Sequence, residues 1–392
     1  MKHKIFYNFS ILSGLLFFLT ISSCKNIKNQ DNKENAEIII TDTLTYKNPL
    51  DVKFGDPYIL DDNTGTYYLY GTGGGAVDGF SAYSSTNLVD WKYEKQIYYG
   101  NKKDSWCISA FWAPECYKFN DKYYLFYSAN WNKNPNNELE NFHIGVAVSD
   151  SPTGPFEDIK NEPLFEPGYP IIDANVFQDA DGKYYLYYSR VCYKHPVQSE
   201  LAQWAKEKGL FNEIEESWIY GVELSPDFKS VIGEPVLLLQ PPKTLEDKNS
   251  EWENRSVTLD GVNRRWTEGS YLFKRNELYY MMYSANHYAG ENYAIGYATS
   301  KSPLGPFKKS DNNPILQKNS NNGGEVTGTG HNSVLFLNSL DKMLCVYHGR
   351  TSKTGEERVV FMDEMKILDD GSLKVLGPTT KEIPMPLTTK NN

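Results

Sequence analysis

Four residues that can carry or transfer protons stand at one place in a recurring pattern. Asp56, Asp173, Glu268 and His331 each lie three positions ahead of a residue in a short apolar run: Ile59, Val176, Tyr271 and Val334. A fifth run, entered at Tyr117, has Pro114 at the equivalent place. Three carboxyls and an imidazole brought to one cavity are the raw material of general acid–base catalysis. Like charges crowded together destabilise one another unless their pKa values separate, and that separation assigns one group as acid and another as base. A single Asp before Pro, as in Gly55-Asp56-Pro57, is an ordinary turn opening. Three acids at one register across repeats argue for a site.

The elements that must position these residues are strands. A Tyr-rich segment recurs as Tyr67–Tyr70, Tyr123–Tyr127, Tyr184–Tyr188 and Tyr279–Tyr283, and in degraded form as Met343–Tyr347. Each copy follows an apolar run and a polar turn, such as Asp61-Asp62-Asn63-Thr64-Gly65 or Asp179-Ala180-Asp181-Gly182, the chemistry of a hairpin. A third strand is expected at Phe80–Ser84, Ile144–Val148, Ile219–Leu224, Ala294–Thr299 and Val359–Met365. Two near-identical phrases, Ser151-Pro152-Thr153-Gly154-Pro155-Phe156 and Ser302-Pro303-Leu304-Gly305-Pro306-Phe307, are expected to end one strand and launch an outer one. Five copies of a three- or four-stranded unit predict an all-β fold, a five-bladed β-propeller, whose first strands line a central axis. The fourth repeat is expected to be long because residues 191–217 form an insertion, helical around Ser199–Lys208.

Composition agrees. The 392 residues are 40% hydrophobic and carry 29 Tyr, more than the 19 Phe and 8 Trp together. That apolar share excludes global disorder, and Tyr is a strand former whose hydroxyl needs a partner. A net charge of −10 argues against a nucleic-acid partner. Length alone suggests two or three domains, but a closed all-β architecture of this size can be one.

The phrases around the ring positions resemble glycoside hydrolase family 43: Gly55-Asp56-Pro57-Tyr58, Phe111-Trp112-Ala113-Pro114-Glu115, Ile172-Asp173-Ala174-Asn175-Val176-Phe177, Thr267-Glu268-Gly269-Ser270-Tyr271, Gly328-Thr329-Gly330-His331-Asn332-Ser333 and Tyr347-His348-Gly349-Arg350. The resemblance spans residues 46–385. It implies an inverting glycosidase with Asp56 as general base, Glu268 as general acid and Asp173 raising the pKa of Glu268 and orienting it. Inversion needs carboxyls about 6.5–9.5 Å apart, leaving room for a water. It further implies a hydrated structural calcium near His331, with a satisfied polar histidine as the competing reading, and no cofactor required for the reaction. Trp112 is a candidate sugar-stacking platform, with a core role as the competing reading. Arg350 is a candidate for a sugar hydroxyl, with carboxylate pairing or a surface position as the alternatives.

The substrate implied is a plant or algal polysaccharide or its oligosaccharides. The expected reaction is release of α-L-arabinofuranosyl residues, with β-D-xylosidase next and endo-arabinanase third. Xylosidases of the family commonly carry a further sandwich domain after the propeller, and the chain leaves no space for one, which favours the arabinofuranosidase. The insertion, Trp252 and Trp266 are expected to wall one end of the cavity and favour exo action. A non-catalytic glycan-binding lipoprotein would be expected to lack one of the three carboxylates, and a protein-interaction propeller has no need of them.

At the N-terminus, Lys2 and Lys4 precede the apolar run Ile11–Ile21 and Ile21-Ser22-Ser23-Cys24, which resembles a bacterial lipobox. The run is too short to span a ~30 Å hydrocarbon core. The expectation is a lipoprotein signal (1–23), lipidation at Cys24, a flexible tether (24–45) and a glycosidase domain (46–392). The protein would then be exported to the periplasm or cell surface, touch the membrane only through its lipid, and act as a monomer. Cys107, Cys116, Cys192 and Cys345 contain no C-x-x-C pair for zinc. A Cys107–Cys116 disulfide and four buried thiols are both open. Gly73-Gly74-Gly75 lacks the Gly-Lys-Ser/Thr of a phosphate loop, and Asp179-Ala180-Asp181-Gly182 lacks the downstream Glu of a calcium loop. His143, His195 and His287 are expected in loops.

Overall fold

The computed structural model describes residues 44–386 apart from 139, 193–206, 210–212, 245 and 257–260. The expected signal, Cys24, nearly all of the tether, His195 and almost all of the helix expected around 199–208 lie outside the described residues. The regular elements among the described residues are nearly all strands.

A short strand β1 (Thr45–Lys47) precedes five antiparallel four-stranded units, sheets one to five, of which the third and fourth are continuous in one eight-stranded sheet. Sheet one holds β2 (Phe54–Asp61), β3 (Tyr67–Gly73), β4 (Gly79–Ser85) and β5 (Lys92–Tyr99). Sheet two holds β6 (Cys107–Phe119), β7 (Lys122–Trp131), β8 (Phe142–Ser149) and β9 (Glu157–Asp158). Sheet three holds β10 (Ile171–Gln178), β11 (Tyr184–Cys192), β12 (Glu213–Leu224) and β13 (Val231–Leu239). Sheet four holds β14 (Val262–Arg275), β15 (Leu278–Ala285), β16 (Ala294–Ser300) and β17 (Lys308–Lys309). Sheet five holds β18 (Thr327–Leu337), β19 (Lys342–Arg350), β20 (Val359–Ile367) and β21 (Leu373–Val375). A last strand, β22 (Glu382–Pro384), pairs with β1.

The Tyr-rich segments are the second strands, β3, β7, β11 and β15, with β19 as the degraded copy. The predicted third strands are β4, β8, β12, β16 and β20. The long interval falls differently from the expectation. It separates β11 from β12 and so lies within sheet three, not the fourth repeat, and its last residues are strand. Glu213–Ser217 of β12 pair in parallel with Val262–Trp266 of β14, which joins sheets three and four edge to edge.

Each neighbouring pair of sheets shares an apolar cluster. Phe80 and Tyr98 of sheet one meet Phe111 and Tyr127 of sheet two. Phe126 and Ile144 meet Leu186 and Val222; Tyr187 and Ile219 meet Met281 and Tyr283; Met282 and Tyr297 meet Tyr347 and Phe361. The fifth cluster packs Leu344 and Val360 of sheet five on Phe54 and Leu69 of sheet one. Burying a side chain of this size contributes about 1.5–3 kcal/mol.

The buried Tyr hydroxyls find the partners that burial demands. Tyr70 donates to the Pro152 carbonyl and Tyr187 to the Pro303 carbonyl, at 2.7 and 2.9 Å. The two near-identical Pro-Gly phrases thus serve as matching acceptors on the adjacent sheet. Cys107, Cys116 and Cys345 are buried free thiols. The Cys107–Cys116 disulfide is therefore not formed, and Cys107 instead lies 3.3 Å from the Tyr98 hydroxyl. His143 is no loop residue: it is buried on β8, with its imidazole on Glu166.

Candidate active site

The first strands of all five sheets share one break of register. The pairing skips two residues between Gly55 and Tyr58, Trp112 and Glu115, Ile172 and Asn175, Glu268 and Tyr271, and Gly330 and Ser333. The first residue of each bulge is left-handed: Asp56 (φ 53°), Ala113 (45°), Asp173 (61°), Gly269 (57°) and His331 (48°). A bulge re-aims a side chain, and a non-Gly residue held at positive φ costs about 1–3 kcal/mol, strain that clusters at functional sites.

This corrects the sequence register in two repeats. Ala113, not Pro114, and Gly269, not Glu268, share the place of Asp56, Asp173 and His331. Glu268 stands one residue earlier, level with Trp112 and Ile172. The slip arose from aligning on Tyr117 and Tyr271, because period-two aromatic runs tolerate a one-residue shift in sequence that pairing does not.

The bulges are tied to one another. The Ala113 N–H donates to Thr72 Oγ1 (2.8 Å), Asp173 N–H to Ser128 Oγ (2.9 Å), Gly269 N–H to Ser189 Oγ (3.2 Å) and His331 N–H to Ser284 Oγ (2.7 Å). Asp56 N–H donates to His348 Nδ1 at 3.1 Å. In each case the acceptor sits on the second strand of the preceding sheet, and sheet one takes its acceptor from sheet five. Two hydroxyls also donate to the carboxylate of their own sheet: Thr72 to Asp56 (2.6 Å) and Ser189 to Asp173 (3.0 Å).

Asp56, Asp173 and Glu268 are all nearly buried, at 5–8% exposure, yet their environments differ. Burial alone would raise the Asp56 carboxyl. Arg358 at 2.7 Å, His331 at 3.3 Å and the Thr72 hydroxyl overcome it and hold Asp56 well below the usual carboxylate range. His348 lies 3.5 Å from the same oxygen but is no ion-pair partner. Its Nδ1 accepts the Asp56 N–H, and burial, then Arg358, push it well below 6.5, so the ring is neutral. Glu268 is pushed well above its ordinary value by burial first and by the Asp173 charge second, and the Tyr293 hydroxyl donates to it at 2.9 Å. Asp173 is raised by burial, while Ser189 and the Gly269 N–H favour its charged form. One carboxyl held ionised beside another held protonated can take a proton at one point and give one at another.

These groups line a cavity of about 110 Å³ together with Trp112, Ile172, Trp266, Tyr288, Tyr293, His331 and Arg358. Trp112 is half-buried, 4.4 Å ring to ring from Phe142. Arg350 is not among the lining residues. It is spent on the carbonyls of Tyr288 (3.0 Å) and Glu356 (2.9 Å). Trp252 is buried against Tyr283, so of the two Trp expected at the wall only Trp266 is there. Arg358 and the two tyrosines were not anticipated, because they come from the segments between second and third strands, outside the repeat register. One signal for Arg358 was present: Gly55 beside Asp56, where a Cβ would collide with the guanidinium.

Beneath the bulges, Glu115 is buried with Tyr117 and Asn175 on its carboxyl. Burial raises it to about 8, with the two hydrogen bonds opposing. Asn175 passes the link on by accepting the Leu272 N–H at 3.0 Å, so sheets two, three and four are laced together below Asp173 and Glu268. Among the described residues no group of three or more His, Cys, Asp or Glu is arranged to hold a metal. Calcium takes six to eight oxygens. His331 offers nitrogen, and its Nδ1 lies 3.3 Å from Asp56 Oδ1, so it is a poor direct ligand for calcium.

An all-β chain with such a carboxyl set has the makings of a glycoside hydrolase, and comparison with known proteins agrees. The family model described as Glycosyl hydrolases family 43 matches residues 46–373. The chain belongs to that family. It is 27% identical over 404 residues to the beta-D-galactofuranosidase xynD of Aspergillus niger, covering 98% of each protein. It is 31% identical over 206 residues to a xylosidase/arabinosidase of Bacteroides ovatus, a match that covers 52% of this chain and 56% of that protein. Among solved structures, a thermostable family-43 glycoside hydrolase is 38% identical with a TM-score of 0.73, covering 88% of this chain and 100% of that one.

Proposed function

We propose that this protein is an inverting glycosidase that releases terminal α-L-arabinofuranosyl residues from plant or algal polysaccharide and its oligosaccharides. The observation that carries the reading is that Asp56 and Glu268 line one cavity in opposed surroundings, Asp56 against the Arg358 guanidinium at 2.7 Å and Glu268 buried with the Tyr293 hydroxyl on it. Asp56 takes a proton from a water that attacks the anomeric carbon. Glu268 gives its proton to the departing glycosidic oxygen, and Asp173 keeps that proton on Glu268 until it is needed. Protein groups and water account for both proton transfers. A furanose in the closed end is supported by the relative matched over its full length, named for a furanoside. A β-D-xylosidase is the second reading, supported by the Bacteroides ovatus relative, named for both activities.

The five sheets form, in this reading, the blades of a closed five-bladed propeller occupying 46–392. The apolar cluster between sheets five and one and the Asp56–His348 hydrogen bond support closure. The chain is exported on a lipid at Cys24 and works as a monomer.

Aryl pentosides and arabinan or arabinoxylan oligosaccharides, followed by NMR of the nascent sugar, test the function. The inverted anomer should appear first, and Asp56→Asn and Glu268→Gln should each lose about 10²–10⁴-fold in kcat while folding normally. Immediate formation of the retained anomer would overturn inversion, and near-wild-type turnover by either amide variant would overturn the assignment.

A further inference from the structure

The cavity meets solvent where its lining is most exposed, at Tyr288. Its carboxyls are at most 8% exposed and Tyr293 is fully buried, whereas Tyr288 is 41% exposed, the one exposed side chain among the described lining residues. A sugar held against the buried Asp56 and Glu268 must keep the rest of its chain on the solvent side of the cavity.

We propose that Tyr288, backed by Trp266, is the platform on which the leaving-group sugar stacks, so that the substrate is an oligosaccharide chain end with a sugar ring, rather than a simple alcohol, on the departing side. The proposal rests on the glycosidase reading above. The position fits the chemistry. Trp266 lies two residues ahead of Glu268 on β14, on the same face of the strand, so the platform stands beside the group that protonates the departing oxygen. The rings of Trp266 and Tyr288 are nearly parallel, 14° apart with centroids 6.3 Å apart, so the buried Trp266 stacks behind the exposed Tyr288. The C–H face of a sugar ring is the apolar surface that such a rim accommodates, whereas an exposed Tyr without a ligand leaves that area in water.

The platform is also held in place, which lowers the ordering cost of binding. The Tyr288 carbonyl accepts from Arg350 Nη1, whose Nε is itself anchored on the Glu356 carbonyl. The Arg358 guanidinium lies 5.0 Å from the Tyr288 ring centre. The segment on either side is pinned by His287 N–H on Ser256 Oγ and Gly328 N–H on the Glu291 carbonyl. Arg350 therefore reaches the substrate only through Tyr288.

The test compares two substrates of one glycosyl group: a trisaccharide, and the glycosyl fluoride, whose leaving group has no ring to stack. Tyr288→Ala should lose about tenfold in kcat/KM on the trisaccharide, and severalfold less on the fluoride, with Tyr288→Phe restoring the trisaccharide rate. In the Glu268→Gln background, calorimetry should show that the affinity gained from a second sugar over the monosaccharide disappears with Tyr288→Ala. Equal losses on both substrates, with Glu268→Gln inactive, would overturn the platform alone. Full turnover by the Glu268→Gln enzyme would overturn the acid–base reading and, with it, the side assigned to the leaving group.

Discussion

The backbone N–H of Asp56 donates to Nδ1 of His348, 292 residues further along the chain, and this bond links the fifth sheet to the first. Four other first strands use a Ser or Thr hydroxyl at the equivalent place. An imidazole is longer than a hydroxyl and is neutral here, so it can accept without adding charge beside Asp56. Replacing His348 with Ala strands a buried N–H, which costs about 1–3 kcal/mol. The variant should melt several degrees lower and turn over more slowly, as read by thermal denaturation and kcat.

Arg358 sets the acidic side of the activity profile. Its guanidinium is the largest influence opposing burial at Asp56. Without it the Asp56 carboxyl rises, so more of the base is protonated at low pH. The acid limb of kcat/KM for Arg358→Ala should therefore move to higher pH, and Gly55→Ala, which displaces the same side chain, should move it the same way.

The alkaline side belongs to Glu268. Burial and then the Asp173 charge raise its pKa. Asp173→Asn removes that charge, so Glu268 loses its proton at a lower pH. The alkaline limb of the same profile should move to lower pH, together with a fall in the maximum rate.

Glu115 gives a stability signature of its own. Its folded value of about 8 lies above the ordinary Glu value of 4.5, so the folded chain binds the extra proton between the two. Its contribution is full below the ordinary Glu range and is lost as pH rises through about 8. The melting temperature of the wild type should thus fall between pH 6 and 9 more steeply than that of Glu115→Gln, which cannot ionise.

Lipidation is tested by location. Cys24→Ser should shift the protein from the membrane fraction to the soluble exported fraction, as judged by fractionation and immunoblotting, with the purified enzyme unchanged in kcat.

Much of this molecule is determined locally. The period-two Tyr runs, the Asn, Asp and Gly turns and the paired Pro-Gly phrases specify strands and hairpins within a few residues of themselves, so the five-fold repetition is visible in the chain alone. Asp56 and Asp173 are legible for the same reason: they sit at fixed distances from strands of recognisable pattern. Glu268 is legible by the same spacing, but its register is misplaced by one, because only hydrogen-bonded pairing shows which residues a bulge skips. Tyr288 and Tyr293 leave no such mark in the sequence, and Arg358 leaves only the Gly55 that makes room for it. They lie in segments whose length and composition obey no repeat, and they reach the cavity only because sheets four and five flank it. Arg350 shows the converse, a promising residue at a strand end that packing turns to the support of its neighbour. Residue types and spacing supplied the acids. Which acid is favoured charged and which protonated was decided by burial, an arginine 302 positions from its partner and the asymmetric hydrogen bonds of the folded site.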